Sequence, residues 1–513
     1  MARMQGTWWQ RGAIYQIYPR SFADGDGDGV GDLPGVIAHL DHLNDGTERS
    51  LGVEAIWLSP FFRSPMADFG YDIADHCDVD PLFGTLEDVD VLVEEAHRRG
   101  IRVVLDWVPN HTSDRHPWFR ESRASRDSPR RSWYVWRDPG PGGTPPNNWR
   151  SSFAAVGDAW TVDRRTGQAY LHSFTREQPD LNWEDPAVEA AMHDVLRFWL
   201  GRGIDGFRMD VIHKIAKDPA LGDNERGRRH DEDWPTIHDR LRRIRAVLDE
   251  YDDRMMAGEV YLYDLGRLVE YVNSGDQLHL AHNFTFLHLP WDAEAFRRAI
   301  ADFDALSAER AWPAWFLGNH DHPRIATRYG AAQARVAAML LYTLRGTPFI
   351  YQGDELGLPD AHVPPDAVVD VDGRDPERAP LPWAPPSQAG PGAGFTTGRP
   401  WLPLVAGAER LNVRTQDADP ASMLSLTRRL AWLRRRSPAL QAGSLDGLAA
   451  AGGVLSFGRR LGGERLRVAL NFRGEPARVR LHGALELSTD AARQAGEEVG
   501  DLGPHEGVVV RER

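Results

Sequence analysis

Four separated segments each end an apolar run on residues that titrate or hydrogen-bond: VVLDWVPNH, GFRMD, AGEVY and FLGNHD. They bring Asp106 with His111, Arg208 with Asp210, Glu259, and His320 with Asp321. Acids at the ends of neighbouring strands, with a cation beside one of them, are what cleavage of a glycosidic bond asks for. One carboxyl protonates the leaving oxygen while another attacks the anomeric carbon.

Arg208 lies two positions before Asp210 and so shares its face of a strand. A cation there is expected to lower the pKa of Asp210 and keep it ionised, although a purely structural Arg–Asp pair would read the same way. Glu259 follows Met255, Met256, Ala257 and Gly258, so desolvation is expected to raise its pKa, as a general acid needs. Asn319, His320 and Asp321 follow AWFL; a histidine can donate to sugar hydroxyls and a further carboxylate can grip a ring diol. Asp106, with Asn110 and His111, could serve the sugar or only hold Arg208. Two carboxylates about 5 Å apart would give retention of configuration and about 6.5 to 9.5 Å inversion, a distance that spacing along the chain does not carry.

A second cluster, DGDGDGVGD, runs from Asp24 to Asp32. Acids at alternate positions with glycine between them let a tight loop aim several oxygens at one hard cation. It is not an EF-hand, because Gly35 stands twelfth, where a bidentate Glu is needed. A structural Ca²⁺ loop of another kind is expected, against the alternative of a solvated acidic turn.

The elements that must position these groups alternate between short apolar runs and longer amphipathic stretches, the pattern of a parallel sheet with helical crossovers. Candidate strands cover 13–18, 53–58, 101–106, 206–210, 255–259, 278–283, 314–319 and 348–352, and eight of them suit an α/β fold, a (β/α)8 TIM barrel. After the third strand, residues 108–185 are rich in Trp, Pro, Gly and Ser and read as an inserted small domain. A second irregular stretch, 355–418, follows the eighth strand. The barrel is therefore expected from 1–107 and 186–441. From 442 to 513 short alternating runs such as RLRVALNF predict a C-terminal antiparallel β domain, sandwich-like in character.

The 513 residues carry a net charge of −15 and 42% hydrophobic content, which sets a globular chain against polyanionic partners: nucleic acid or anionic lipid would be repelled. A neutral small molecule fits better, and no organic cofactor is called for. The lone Cys77 excludes an internal disulfide and suits a reducing compartment. No apolar run reaches signal-peptide or membrane-span length, including in the opening MARMQGTWWQRGA, so a soluble cytoplasmic protein, monomer or homodimer, is the expectation.

Together the segments IYQIYPRSFADGDGDGVGDLPGV, DFGYDIADHCDVDPLFGT, LDWVPNHTS, QPDLNWEDP, GFRMDV, GEVY, GNHDHPR, GTPFIYQGDELG and GFTTGRPW resemble the α-amylase family of glycoside hydrolases, most of all its α-glucosidase and oligo-1,6-glucosidase branch. The likeness runs over nearly the whole chain. It implies Asp210 as nucleophile, Glu259 as acid/base and Asp321 as the carboxylate that stabilises the transition state. It also implies that Asp68, Tyr71, His111, Arg208 and His320 line the pocket for the terminal glucosyl ring, and that Asp24, Asp26, Asp28, the Val30 carbonyl and Asp32 hold calcium. Arg374 and Arg378 resemble the paired arginines after the eighth strand, Arg378 toward substrate, although the family's Met-Gln-Trp is here Leu381, Pro382 and Trp383. Val211, after the nucleophile, occurs in relatives of either α-1,4 or α-1,6 preference. The resemblance thus implies a retaining, exo-acting α-glucosidase for maltose, isomaltose and short α-gluco-oligosaccharides. A glucosyl-transferring or trehalose-forming relative is the alternative. A non-catalytic binding or transporter-partner homologue is the remote one, since such proteins usually lose the acids kept here.

Overall fold

The computed structural model describes residues 7–307 and 310–512; the domain ends drawn at 1 and 513 and the first half of MARMQGTWWQRGA lie outside them. Eight parallel strands form one sheet: β1 (Ile14–Ile17), β2 (Ala55–Leu58), β3 (Arg102–Trp107), β4 (Gly206–Met209), β5 (Met255–Gly258), β6 (Leu280–Ala281), β7 (Ala314–Trp315) and β8 (Thr347–Tyr351). Their order is β6-β5-β4-β3-β2-β1-β8-β7, and a lone parallel bridge from His282 to Ala314 joins the two ends, which makes the sheet a barrel.

The period of two along each strand divides its residues between two cores. Ile14, Ala55, Trp57, Val104, Met255, Ala257, Leu280 and Phe349 pack together inside the barrel. Ile56, Leu58, Val103, Leu105, Phe207 and Met256 face outward into a larger cluster shared with the helices. By the same alternation Asp106 and Arg208 point inward, and they are direct partners on adjacent strands. Met209 pairs with Gly258, so the next residues, Asp210 and Glu259, leave their strands at the same level.

Crossover helices follow from amphipathic stretches with clear starts. Helix α1 (Leu86–Arg98) begins with a capping box between Thr85 and Asp88, and α2 (Pro186–Gly201) with an Asp185 cap and a proline in the first turn. Helices α3 (Ile237–Leu248), α4 (Ala293–Ser307) and α5 (Ala331–Thr343) complete the ring, and α6 (Met423–Arg436) packs beside α5.

Two strands are shorter than their apolar runs suggested. The run 278–283 yields only Leu280–Ala281, because Asn283 turns the chain by capping the helix Phe284–Leu287. The run 314–319 yields only Ala314–Trp315, because Asn319 pairs with His322 across a tight turn. Within 108–185 a three-stranded antiparallel sheet forms from Trp136–Arg137, Trp160–Val162 and Ala169–Leu171. Beyond the barrel, strands β9 (Ser444–Ala451), β10 (Val454–Leu461), β11 (Glu464–Asn471), β12 (Ala484–Ser488) and β13 (Gly507–Arg511) make an antiparallel sheet in the order β9-β10-β11-β13-β12.

Candidate active site

A cavity of about 590 Å³ opens at the C-terminal ends of the barrel strands. Its walls include Asp210, Glu259 and Asp321 together with Asp68, Tyr71, His111, Val211 and Arg374. One guanidinium organises its floor. Arg208 donates at 2.7 Å to Asp106 and at 2.7 Å to Asp210, and its other terminal nitrogen donates to Glu259. The planar fork of arginine makes this possible, since two carboxylates can be met by nitrogens with a fixed separation.

Val211 carries φ of 34°, a left-handed conformation that a β-branched residue adopts only under constraint. That turn aims its amide at Glu259, 3.1 Å away, so local backbone strain helps fix the acid opposite Asp210.

Asp321 is held from the other side, with Arg374 at 3.0 Å and Arg378 at 2.9 Å. Burial alone would push its carboxyl up, but His320, Arg374 and Arg378 hold it well below the ordinary carboxylate range. Arg374 also meets Asp68 at 2.5 Å and so links the loops after β2 and β7 into a closed end for the cavity. Burial pushes the carboxyl of Asp106 up to about 6 and keeps the imidazole of His111 down at about 4, hence neutral. Asp210 departs from expectation. Burial raises its pKa well above the usual value against the opposing pull of Arg208, and neighbouring Glu259 and Asp106 add to the rise.

Three residues expected to line the sugar pocket sit one layer deeper. Arg208 is 1%, His320 0% and Arg378 1% exposed, and none reaches the cavity wall. Each is taken up holding a neighbour. His320 accepts from Gln16 at 2.8 Å and contacts the Tyr71 hydroxyl at 2.8 Å, and Tyr71 in turn donates to Asp106 at 3.0 Å. Arg378 donates to the His320 carbonyl and to Asp370 as well as to Asp321.

Other wall residues lie outside the motifs that drew attention in the sequence. His213, Lys214, Arg229 and Glu232 come from the connection between β4 and α3, which is polar and lacks periodicity; only its length marks it. Phe153 and Phe174 come from the inserted domain, and Tyr261, Tyr263 and His322 form an outer rim. Gln178 reaches in behind the wall and donates to Asp68 at 2.9 Å, with His111 at 3.1 Å.

At the acidic loop, side-chain oxygens of Asp24, Asp26 and Asp28 lie within 4.8 Å of one another, a donor set that fits a hard cation. The Val30 amide donates to Asp28 at 2.7 Å. Asp32 stands apart from the three, capping the helix Leu33–Ala38 through the Gly35 amide and also accepting from Gly25. The loop is pinned at Gly29, where φ is 100° and any Cβ would lie 2.0 Å from the Arg399 carbonyl oxygen, so there is room for no side chain.

Eight parallel strands closed around an apolar core, with three carboxyls gathered at their C-terminal mouth, define a barrel glycoside hydrolase. Residues 16–443 match the family described as alpha amylase, catalytic domain, and the chain belongs to that family. It is 41% identical over 508 residues to a probable alpha-glucosidase of Rhizobium meliloti (strain 1021), covering 92% of this chain and 90% of that one. It is 37% identical to an oligo-1,6-glucosidase of Parageobacillus thermoglucosidasius, covering 91% of each. A crystal structure of an alpha-glucosyl transfer enzyme, XgtA, superposes with a TM-score of 0.91 at 40% identity, over 99% of this chain and 100% of that one. Among the described residues no helix is long and apolar enough to cross a membrane.

Proposed function

We propose that the protein is a retaining, exo-acting α-glucosidase that releases α-glucose from the non-reducing end of short α-1,4- or α-1,6-linked glucosides. The observation that carries this reading is the sharing of one guanidinium by Asp210 and Glu259 at the floor of a cavity that Asp321 also faces. Two carboxylates on one fork support the short spacing of a double displacement over the wider spacing that admits a water between acid and base. Asp210 attacks the anomeric carbon while Glu259 protonates the leaving oxygen; Glu259 then takes a proton from water, which releases the sugar. The rise in the Asp210 pKa does not oppose this, because positive charge developing at the anomeric carbon favours the anion as the bond breaks. Asp321, kept ionised by its arginines, supplies fixed negative charge to the ring. The Asp68–Arg374–Asp321 bridge walls off one end of the cavity and favours cutting at chain ends over cutting within polymers.

Asp210→Asn is expected to lower kcat for an aryl α-glucoside by at least about a thousandfold with an unchanged circular dichroism spectrum. Full activity of that variant would overturn the assignment, and an NMR spectrum of the first-formed anomer tests retention separately. Similarity to a glucosyl-transfer enzyme supports a second fate, in which a sugar replaces water on the intermediate. Oligosaccharides outpacing glucose at high maltose or sucrose would select it.

The loop of Asp24, Asp26 and Asp28 is read as a structural Ca²⁺ site, and the protein as cytoplasmic. Chelation with EGTA is expected to lower the melting temperature by several degrees, restored by Ca²⁺ and not by Mg²⁺. No change on chelation would remove calcium from this account.

A further inference from the structure

The rim of the cavity carries a group that the hydrolytic reading does not use. The hydroxyl of Tyr261 lies 3.1 Å from Nε2 of His288 and 3.3 Å from Nε2 of His322, with the two imidazole centroids 4.9 Å apart. The tautomer of His322 follows from its surroundings. Asn319 Oδ1 accepts from the Asp321 amide at 3.1 Å, which fixes that amide oxygen in place, and the same oxygen lies 2.9 Å from Nδ1 of His322. Nδ1 must therefore carry the proton, leaving the lone pair on Nε2. A histidine whose far nitrogen donates to a carbonyl oxygen while the near one stays bare has the arrangement found in metal-binding histidines. His288 is solvent-exposed, so its ring can turn and exchange tautomers through water. Burial and the neighbouring Arg328 also lower the pKa of His288, and burial brings that of His322 down to about 4.

We propose that His288 and His322, with the Tyr261 hydroxyl beside them, form a site at the mouth of the cavity for a borderline-soft divalent cation of the Zn²⁺ or Cu²⁺ class. Two imidazoles suit such ions and offer little to Ca²⁺ or Mg²⁺. An ion there would bridge the loop that carries Asp321 to the segment after β6, lie two residues beyond Glu259, and obstruct the way in. The inhibitory consequence rests on the proposed hydrolytic function; the binding does not.

The test is calorimetric titration of Zn²⁺ into the full-length protein in saturating Ca²⁺, which occupies the acidic loop, with electron paramagnetic resonance of one equivalent of Cu²⁺ in parallel. The expected result is a single Zn²⁺ site whose Kd rises at least about tenfold in His288→Ala and in His322→Gln, and a Cu²⁺ spectrum with coupling to two nitrogens that each variant reduces to one. His288→Ala removes an exposed ring, so loss of fold does not confuse the outcome. Unchanged affinity in both variants, or a spectrum without nitrogen coupling, overturns the site. Zn²⁺ binding in a protein inert toward every α-glucoside would leave the site standing and sink the hydrolase reading instead.

Discussion

At the scale of single residues, the cavity is governed by charges that fix one another. Glu232 shows this on the side wall, where Lys214 donates at 2.7 Å. Burial opposes ionisation of Glu232, yet Lys214, His213 and Arg229 together bring its carboxyl down to about 2. A carboxyl whose folded pKa is depressed contributes stability above its unfolded value, about 4.3, and loses it as pH falls toward the folded value. The stability advantage of the natural protein over Glu232→Gln is therefore expected to be full at pH 6 and to shrink between about pH 4.3 and pH 2, as read from urea midpoints. Asp210, Glu259 and Asp321 were legible in the sequence because each ends an apolar run. Glu232, His213 and Lys214 were not, because a polar connection gives no period by which to orient a side chain. Depth was equally hidden: Arg208, His320 and Arg378 stand in the right segments, but only packing shows that they brace the acids from behind.

At the scale of elements, the inserted domain does more than wall the cavity. Gln178, at its exit, receives bonds at its carbonyl from the Thr175 amide and hydroxyl and spends its amide nitrogen on Asp68 and His111. Gln178→Ala is expected to raise KM for an aryl α-glucoside about tenfold, the worth of a hydrogen bond to a charged group, with a smaller change in kcat. An equal fall in kcat at constant KM would place Gln178 in the chemical step instead. The eight strands could be read from alternation and length. The extents of β6 and β7 could not, since the residues that end them, Asn283 and Asn319, do so through a helix cap and a tight turn formed with partners several positions on.

At the scale of the whole molecule, α5 is buried beyond its first turn, Arg335 apart, because the barrel covers one side and the C-terminal sheet the other. On the barrel side of that helix, Arg434 of α6 ties the end of α5 and the approach to β8 to the amino-terminal segment, with no carboxylate partner among the described residues. It donates to the carbonyls of Gln10, Arg11, Tyr342, Leu344 and Gly346, and burial lowers its pKa to about 9. Arg434→Met is expected to cost at least about 3 kcal/mol in urea unfolding, since three buried and two partly buried carbonyls lose their donor, while kcat at 20 °C is unchanged. A loss under 1 kcal/mol would show that water replaces the guanidinium. The change of texture near residue 442 announced a separate sheet, but not that it shares a helix with the barrel, because a helix apolar over most of its surface does not say what lies on each side.

Among the described residues the barrel is joined up by one pairing, His282 with Ala314, between its two briefest strands. With so little ladder along that seam, side chains stitch it shut instead: Arg328 donates to the Leu317 carbonyl, and Arg374 and Arg378 both fasten Asp321, so the flank that carries the third carboxyl owes its place to arginines more than to strand pairing.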